Sequence, residues 1–200
     1  FLFRVDDGEP LALLNDGYLQ HMRVGADSAL GVKFMARDDA AVVGMFGSGG
    51  MARCHIDSIR LVRNIKKIQV FSPTKANRDA YAREMEEKYG IETIPLDKPE
   101  DVYKGADILA GCTDASIPVI LGRHIEKGTH VISVGGRPDG ETFKKMDRFL
   151  RLGNATAPVG GKEITHEFLT YATPNLDEKN MKREHRYAGG VVEVVEERKV

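Results

Sequence analysis

Two short apolar runs, residues 1–5 and 11–14, flank the polar segment Asp6-Asp7-Gly8-Glu9-Pro10, a pattern that predicts an opening hairpin. Asp-Gly favours such a turn because both positions tolerate positive φ. After a second turn signal at Asp16-Gly17, apolar residues recur at Leu19, Met22, Ala26, Ala29, Leu30 and Phe34. That spacing follows one face of a helix, which should end near Arg37-Asp38-Asp39. The period then changes. Residues 41–46 are continuously apolar, as in a strand buried on both faces. Ala52, Ile56, Ile59 and Val62 form the next helical stripe. Further strands are predicted at 67–71, 91–94, 107–111, 130–134 and 148–152. Helices are predicted at 75–88, with Thr74 as N-cap, and at 141–146, with a helical turn at 99–103. Another helix is read at 163–171, and the charged run 177–186 reads as a solvated face or loop. Strands alternating with helices imply an α/β fold, a Rossmann-like doubly wound parallel sheet with helices on both faces.

Composition narrows the class. Of 200 residues, 42 % are hydrophobic and 30 % charged, which excludes a disordered chain. No apolar stretch approaches the roughly 18 residues of a membrane span. Lys and Arg total 29 against 30 Asp and Glu, so bulk positive potential for nucleic acid is lacking. Cys54 and Cys112 make no disulfide framework, and a reducing, cytoplasmic setting is expected. The chain starts at Phe1, not Met, and stops just after the strand-like run 191–195, so we read it as a piece of a longer protein.

Chemistry concentrates at Gly47-Ser48-Gly49-Gly50-Met51-Ala52, between a predicted strand and helix. In Gly47-x-Gly49-x-x-Ala52 the first glycine permits the tight turn. The second lets backbone approach a pyrophosphate, and the third small residue lets helix pack on strand. The helix N-terminus adds free N–H groups and a favourable dipole. A merely structural glycine turn is the competing reading. At the end of the second sheet strand, NAD enzymes place an acid for the ribose 2′-hydroxyl. Here Ser72, Pro73, Thr74 and Lys75 stand there, with Arg78 one turn on. Hydroxyls and cations without a carboxylate favour NADP(H) over NAD(H), although Lys75 and Arg78 also read as solvated helix residues. The carboxyl ends of later strands place residues 111–114 and 134–137 at the same crevice, where Thr113 is a candidate cofactor ligand. Cys112 reads equally as a packing residue.

From residue 1 to about 160 the chain resembles the ornithine cyclodeaminase/mu-crystallin family. The resembling pieces run in order. They are residues 13–18 (Leu-Leu-Asn-Asp-Gly-Tyr), 22–26 (Met-Arg-Val-Gly-Ala), 44–53, 70–74, 105–108 and 128–135. The resemblance implies hydride transfer at the α-carbon of a small amino acid or cyclic imino acid. It adds Val131, Ile132, Ser133, Val134 and Gly135 to the cofactor side. Arg23 matches the family arginine that meets the substrate carboxylate, a task suited to a guanidinium fork. Val24 replaces a threonine common in the family. Arg137 stands where ornithine cyclodeaminase carries its general acid/base aspartate, and Glu141 where that enzyme has a cofactor-contacting lysine. Asp139, two residues on, is the candidate replacement. The resemblance divides the chain into three parts. Residues 1–36 are a remnant of a substrate and dimerisation domain with its connecting helix, 37–160 the dinucleotide domain, and 161–200 a partial C-terminal segment. It also implies a homodimer for the full-length protein.

Other candidates carry less. His166-Glu167 lacks the second histidine of a zinc helix, since Thr170 stands there, and no metal site is expected. His21 is a proton relay or a helix-surface residue. His55 reads as solvent-facing or packing, and Asp27 as an orienter of Arg23 or a plain i,i+4 pair. Three functions remain. They are an NAD(P)-dependent amino or imino acid enzyme, a non-catalytic NADP(H) binder of the mu-crystallin kind, and an unrelated Rossmann-like methyltransferase.

Overall fold

The computed structural model describes residues 1–136, 138–147, 185–188 and 191–194. Arg137, the strand read at 148–152, the helix read at 163–171, His166-Glu167 and most of the charged run 177–186 lie outside the described residues.

The opening hairpin is present, with β1 (Leu2–Phe3) antiparallel to β2 (Pro10–Ala12). Helix α1 covers Gly17–Met35. Next come β3 (Val42–Phe46), α2 (Gly50–Ile59), β4 (Lys67–Phe71), α3 (Lys75–Tyr89) and β5 (Glu92–Pro95). A 3-10 turn (Pro99–Tyr103) leads to β6 (Ile108–Gly111). A second, Gly122–His124, falls in a stretch where the sequence pattern predicts no element. Then follow β7 (His130–Ser133) and α4 (Gly140–Lys145). Strands β8 (His185–Ala188) and β9 (Val191–Val194) form a second antiparallel hairpin.

The five central strands are all parallel, in the order β5-β4-β3-β6-β7. The chain winds outward from β3 in one direction, then returns to β3 and winds outward in the other. This is the doubly wound sheet expected from the sequence, with its switch point between β3 and β6. Alternating side chains divide its core. Val43, Met45, Ile68, Val70, Ile108, Ala110 and Ile132 pack under Val32, Ile56, Ile59, Tyr81 and Met85 of α1, α2 and α3. Phe46 and Leu109 point the other way, onto Val102, Tyr103 and Ile120. The three long helices thus share one face. Among the described residues the opposite face is covered by the Pro99–Tyr103 turn and the segment around Ile120, to which α4 bonds through Thr142.

The inner face of α1 differs from the predicted one. Gly25, Ala29 and Val32 are buried, while Leu19, Met22 and Phe34 are exposed. The cause is close packing against α2. A β-carbon on residue 25 would stand 2.5 Å from the Cys54 carbonyl oxygen, so the seam accepts small residues and turns the large ones outward.

At the far end of the sheet, the Asp107 carboxylate accepts from the N–H groups of Ala41 and Val42 at 2.8 and 2.9 Å and pairs with Arg37. Nearly buried Arg63 closes the last turn of α1, donating to the carbonyls of Lys33, Ala36 and Arg37. His130 starts β7 with its ring beside Gly31 of α1. Burial, and secondarily the Arg63 charge, push its pKa down to about 4. The folded state therefore prefers the neutral ring, and its contribution is complete above pH 6.5. As pH falls from 6.5 towards 4, about 2–3 kcal/mol of stability should be lost. Urea unfolding at pH 7 and pH 4.5 checks this, and His130→Gln should flatten the difference.

Candidate dinucleotide site

Strand β3 ends at the topological switch point, and the glycine turn continues directly from it. Gly47 has φ +112°. A β-carbon there would lie 2.2 Å from the Cys112 carbonyl oxygen at the end of β6. Both the backbone conformation and the space admit only glycine. Gly49 is the N-cap residue of α2 in extended conformation, and α2 receives no side-chain cap. A β-carbon on Gly49 would meet nothing within 4 Å. The first turn of α2 therefore offers free N–H groups to an open space, an arrangement that fits a pyrophosphate. Ala52 is fully buried against the sheet, as the motif requires, and Met51 is partly buried.

The end of β4 adjoins this turn. Ser48 donates its hydroxyl hydrogen to Ser72 Oγ at 2.9 Å, and Ser72 is buried. Thr74 occupies the N-cap position of α3, yet its side chain makes no capping bond. Lys75 is exposed and pairs with Asp79. Arg78, in contrast, is buried. Its guanidinium donates to the Ser72 carbonyl at 3.0 Å and pairs with Asp97. It holds the strand end and is not a free cation for a 2′-phosphate. Arg53 plays a similar part on the glycine turn, donating to the Ser48 carbonyl at 2.6 Å while bound to Glu84 of α3.

The ends of β6 and β7 close the crevice. Gly135 fits directly over Thr113, whose carbonyl oxygen would lie 1.8 Å from a β-carbon at 135. The Thr113 hydroxyl accepts from Ala115 N–H at 3.3 Å. Ser133 and Val134 are exposed at the strand end, Val131 is half-buried, and Ile132 is in the core. Cys112 is buried, and burial pushes its thiol up to about 12, so it packs and offers no thiolate.

The remaining candidates are more scattered. Arg23 is exposed on α1, 3.2 Å from Asp27. The His21 ring lies against Gly50 at the start of α2. His55 is fully buried. Its Nδ1 bonds the Met51 carbonyl at 2.7 Å, which fixes the proton there and leaves Nε2 to accept from Ser28 at 3.0 Å. Burial holds this ring below the ordinary histidine range. The position was legible, because 55 lies three residues from Ala52 and four from Ile59 on the buried side of α2. Arg53 and Glu84 left no such signal, being 31 residues apart.

Asp139 is the N-cap of α4. Its Oδ1 accepts from the N–H groups of Thr142 and Gly122 at 2.8 and 3.0 Å and from the Thr142 hydroxyl at 2.8 Å. Burial pushes this carboxyl up, but those bonds outweigh it and hold the pKa below the ordinary value. A group exchanging protons near neutrality needs the opposite shift. In this geometry Asp139 caps α4 and ties its start to Gly122. The signal is an aspartate just before a predicted helix, an N-cap residue type. Among the described residues no group of three His, Cys, Asp or Glu is placed to hold a metal ion, and no helix is long and apolar enough to cross a membrane.

A parallel sheet in this order, with a positive-φ glycine turn opening a helix at its switch point, defines a Rossmann-like domain. The chain belongs to the ornithine cyclodeaminase/mu-crystallin family, whose model matches residues 1–153. It is 35 % identical over 128 residues to the Delta(1)-pyrroline-2-carboxylate reductase of Bacillus cereus, covering 64 % of this chain and 39 % of that protein. It is 29 % identical over 150 residues to the ornithine cyclodeaminase of Agrobacterium tumefaciens, covering 74 % and 42 %. Among solved structures, the Thermococcus litoralis Delta(1)-pyrroline-2-carboxylate reductase in complex with NADH and L-proline superposes with a TM-score of 0.67 at 35 % identity. That match covers 72 % of this chain and 47 % of the other. The chain thus spans about two fifths of the length of the curated relatives it matches.

Two glycine substitutions separate folding from binding. Gly47→Ala should cost about 1–3 kcal/mol from the backbone conformation alone, before the collision with Cys112 is added. Gly49→Ala should cost less than about 1 kcal/mol, since the space is open and the conformation ordinary. Thermal melts check both, and Gly49→Ala should still weaken dinucleotide binding. Asp139→Ala should lower stability by about 1 kcal/mol, as loss of a cap does, and leave the pH profile of any turnover in place.

Proposed function

We propose that the protein carrying this chain is an NAD(P)-dependent enzyme of amino or imino acid metabolism. It adds or removes hydride at the α-carbon of a small amino acid or cyclic imino acid. The observation that carries this reading is the open, uncapped start of α2 at Gly49, set at the switch point of a parallel sheet. Similarity to pyrroline-2-carboxylate reductases supports the substrate class.

A bound nicotinamide dinucleotide supplies or accepts the hydride. In this proposal Gly47, Ser48, Gly49, Gly50, Met51 and Ala52 hold its pyrophosphate. Ser72, Thr74 and Lys75 hold the adenosine ribose, and the absence of a carboxylate from residues 72–75 favours NADP(H) over NAD(H). Thr113 and residues 131–135 line the nicotinamide side. Arg23 receives the substrate carboxylate through its guanidinium fork. Asp139 acts by position, tying Gly122 to the start of α4. The large apolar side chains left outward on α1 and the opening hairpin, among them Leu13, Leu14, Leu19 and Met22, support a homodimer in the full-length protein.

The second reading, a non-catalytic NADP(H) binder of the mu-crystallin kind, draws on one observation. Asp139 is engaged in capping, and Arg137 stands where ornithine cyclodeaminase has its acid/base aspartate. The third reading, an unrelated methyltransferase, falls with the family match.

Fluorescence titration with NADH and NADPH tests the cofactor, and NADPH should bind more tightly. A screen of proline, ornithine, alanine and cyclic imines should then reveal nicotinamide turnover. Binding without turnover of any of them selects the second reading, and absence of binding to either dinucleotide defeats both. Arg23→Met should raise KM for the turned-over substrate at least about tenfold, the scale of one lost charge-assisted contact, with the dinucleotide Kd unchanged.

A further inference from the structure

The glycine turn has a freedom that a binding site must restrain. The peptide joining Ser48 to Gly49 is followed by a residue with no β-carbon and open surroundings, so rotating that peptide plane meets no steric barrier from a side chain at 49. In a trans peptide the C=O and N–H point in opposite directions. One orientation presents an N–H to the crevice. The flipped orientation presents a carbonyl oxygen, which repels a pyrophosphate.

One side chain decides between them. Arg53 donates from Nη1 to the Ser48 carbonyl at 2.6 Å, while its own backbone N–H reaches the Gly49 carbonyl at 3.3 Å. The guanidinium cannot swing away freely. Glu84 of α3 receives its Nε and Nη2 at 2.8 and 2.7 Å, and the ring of fully buried Tyr81 lies 5.5 Å from its centre. Flipping the peptide forfeits a charge-assisted hydrogen bond. We propose that Arg53, held by Glu84, is a positioning residue that fixes the Ser48–Gly49 peptide with its N–H directed away from Arg53, in the form that receives the dinucleotide pyrophosphate. The inference rests on the dinucleotide reading given above. It assigns Arg53 a task through the backbone and gives its carboxylate partner a favourable part in binding a polyanion.

That last consequence makes the test sharp. If Arg53 served only as a positive charge near the phosphates, removing the nearby Glu84 carboxylate would tighten binding. If Arg53 is a latch, removing Glu84 loosens it and weakens binding. The experiment is fluorescence titration of the full chain with NADH and with NADPH, for the wild type, Arg53→Met and Glu84→Ala, with thermal melting of each. Arg53→Met should weaken both dinucleotides about tenfold or more. Glu84→Ala should weaken both about threefold, and its half-exposed position on α3, where alanine favours the helix, keeps the fold intact should Arg53→Met not fold. At saturating dinucleotide, KM for the turned-over substrate should stay within about twofold, which general loosening of the domain would not spare. Unchanged affinity in the Glu84→Ala variant, or tighter binding, overturns the latch. Failure of the wild type to bind either dinucleotide overturns the dinucleotide reading itself.

Discussion

The end of β3 meets the end of β6 backbone to backbone, and the rest of the site depends on that contact. The Gly47 position allows no β-carbon beside the Cys112 carbonyl. This closeness lets the chain leave the sheet sharply enough for α2 to start directly above the switch point. It also brings Thr113 under Gly135, so that three strand ends converge on one crevice. Side chains at these points would separate the strand ends and disperse the N–H groups that the crevice gathers.

Around this contact the polar groups divide by task. Arg53 and Arg78 serve backbone carbonyls, and each is tied to a carboxylate, Glu84 or Asp97. Their positive charge is therefore partly spent before any ligand arrives. Helix α3 supplies Arg78, Tyr81 and Glu84, and so braces both the glycine turn and the end of β4. In the proposed reading, attraction for a pyrophosphate comes chiefly from α2 and its uncapped N–H groups.

The strand pattern and the glycine motif were legible because both are local. Apolar or largely apolar runs bounded by turns locate β3, β4 and β6 almost to the residue, and Gly47 to Ala52 fall at the predicted strand–helix junction. Errors arose where partners distant in sequence decide. The buried face of α1 is set by the backbone of α2, so Gly25 went inside and Met22 outside, against the hydrophobic count. Arg78, open in the sequence between a phosphate ligand and a solvated helix residue, is buried and engaged by Asp97 and the Ser72 carbonyl. Asp139, the candidate replacement for the acid absent at Arg137, stands just before a predicted helix, and its capping of α4 is legible from that place.

The parallel order of the sheet also bears on how the chain reaches this form. Parallel neighbours cannot be joined by a tight hairpin, so every pairing in the central sheet encloses a crossover. The Asp107 carboxylate reaches Val42 across 65 positions of the chain. The unit of β3, α2 and β4 can assemble from nearby segments, but the crevice exists only once β6 has joined the other side of β3. Loop closure of that span is costly and slow compared with local contacts. The pairing that creates the crevice, Val43 with Ile108, is thus the one of greatest sequence separation in the central sheet, and closing it carries the largest chain-entropy cost of the four.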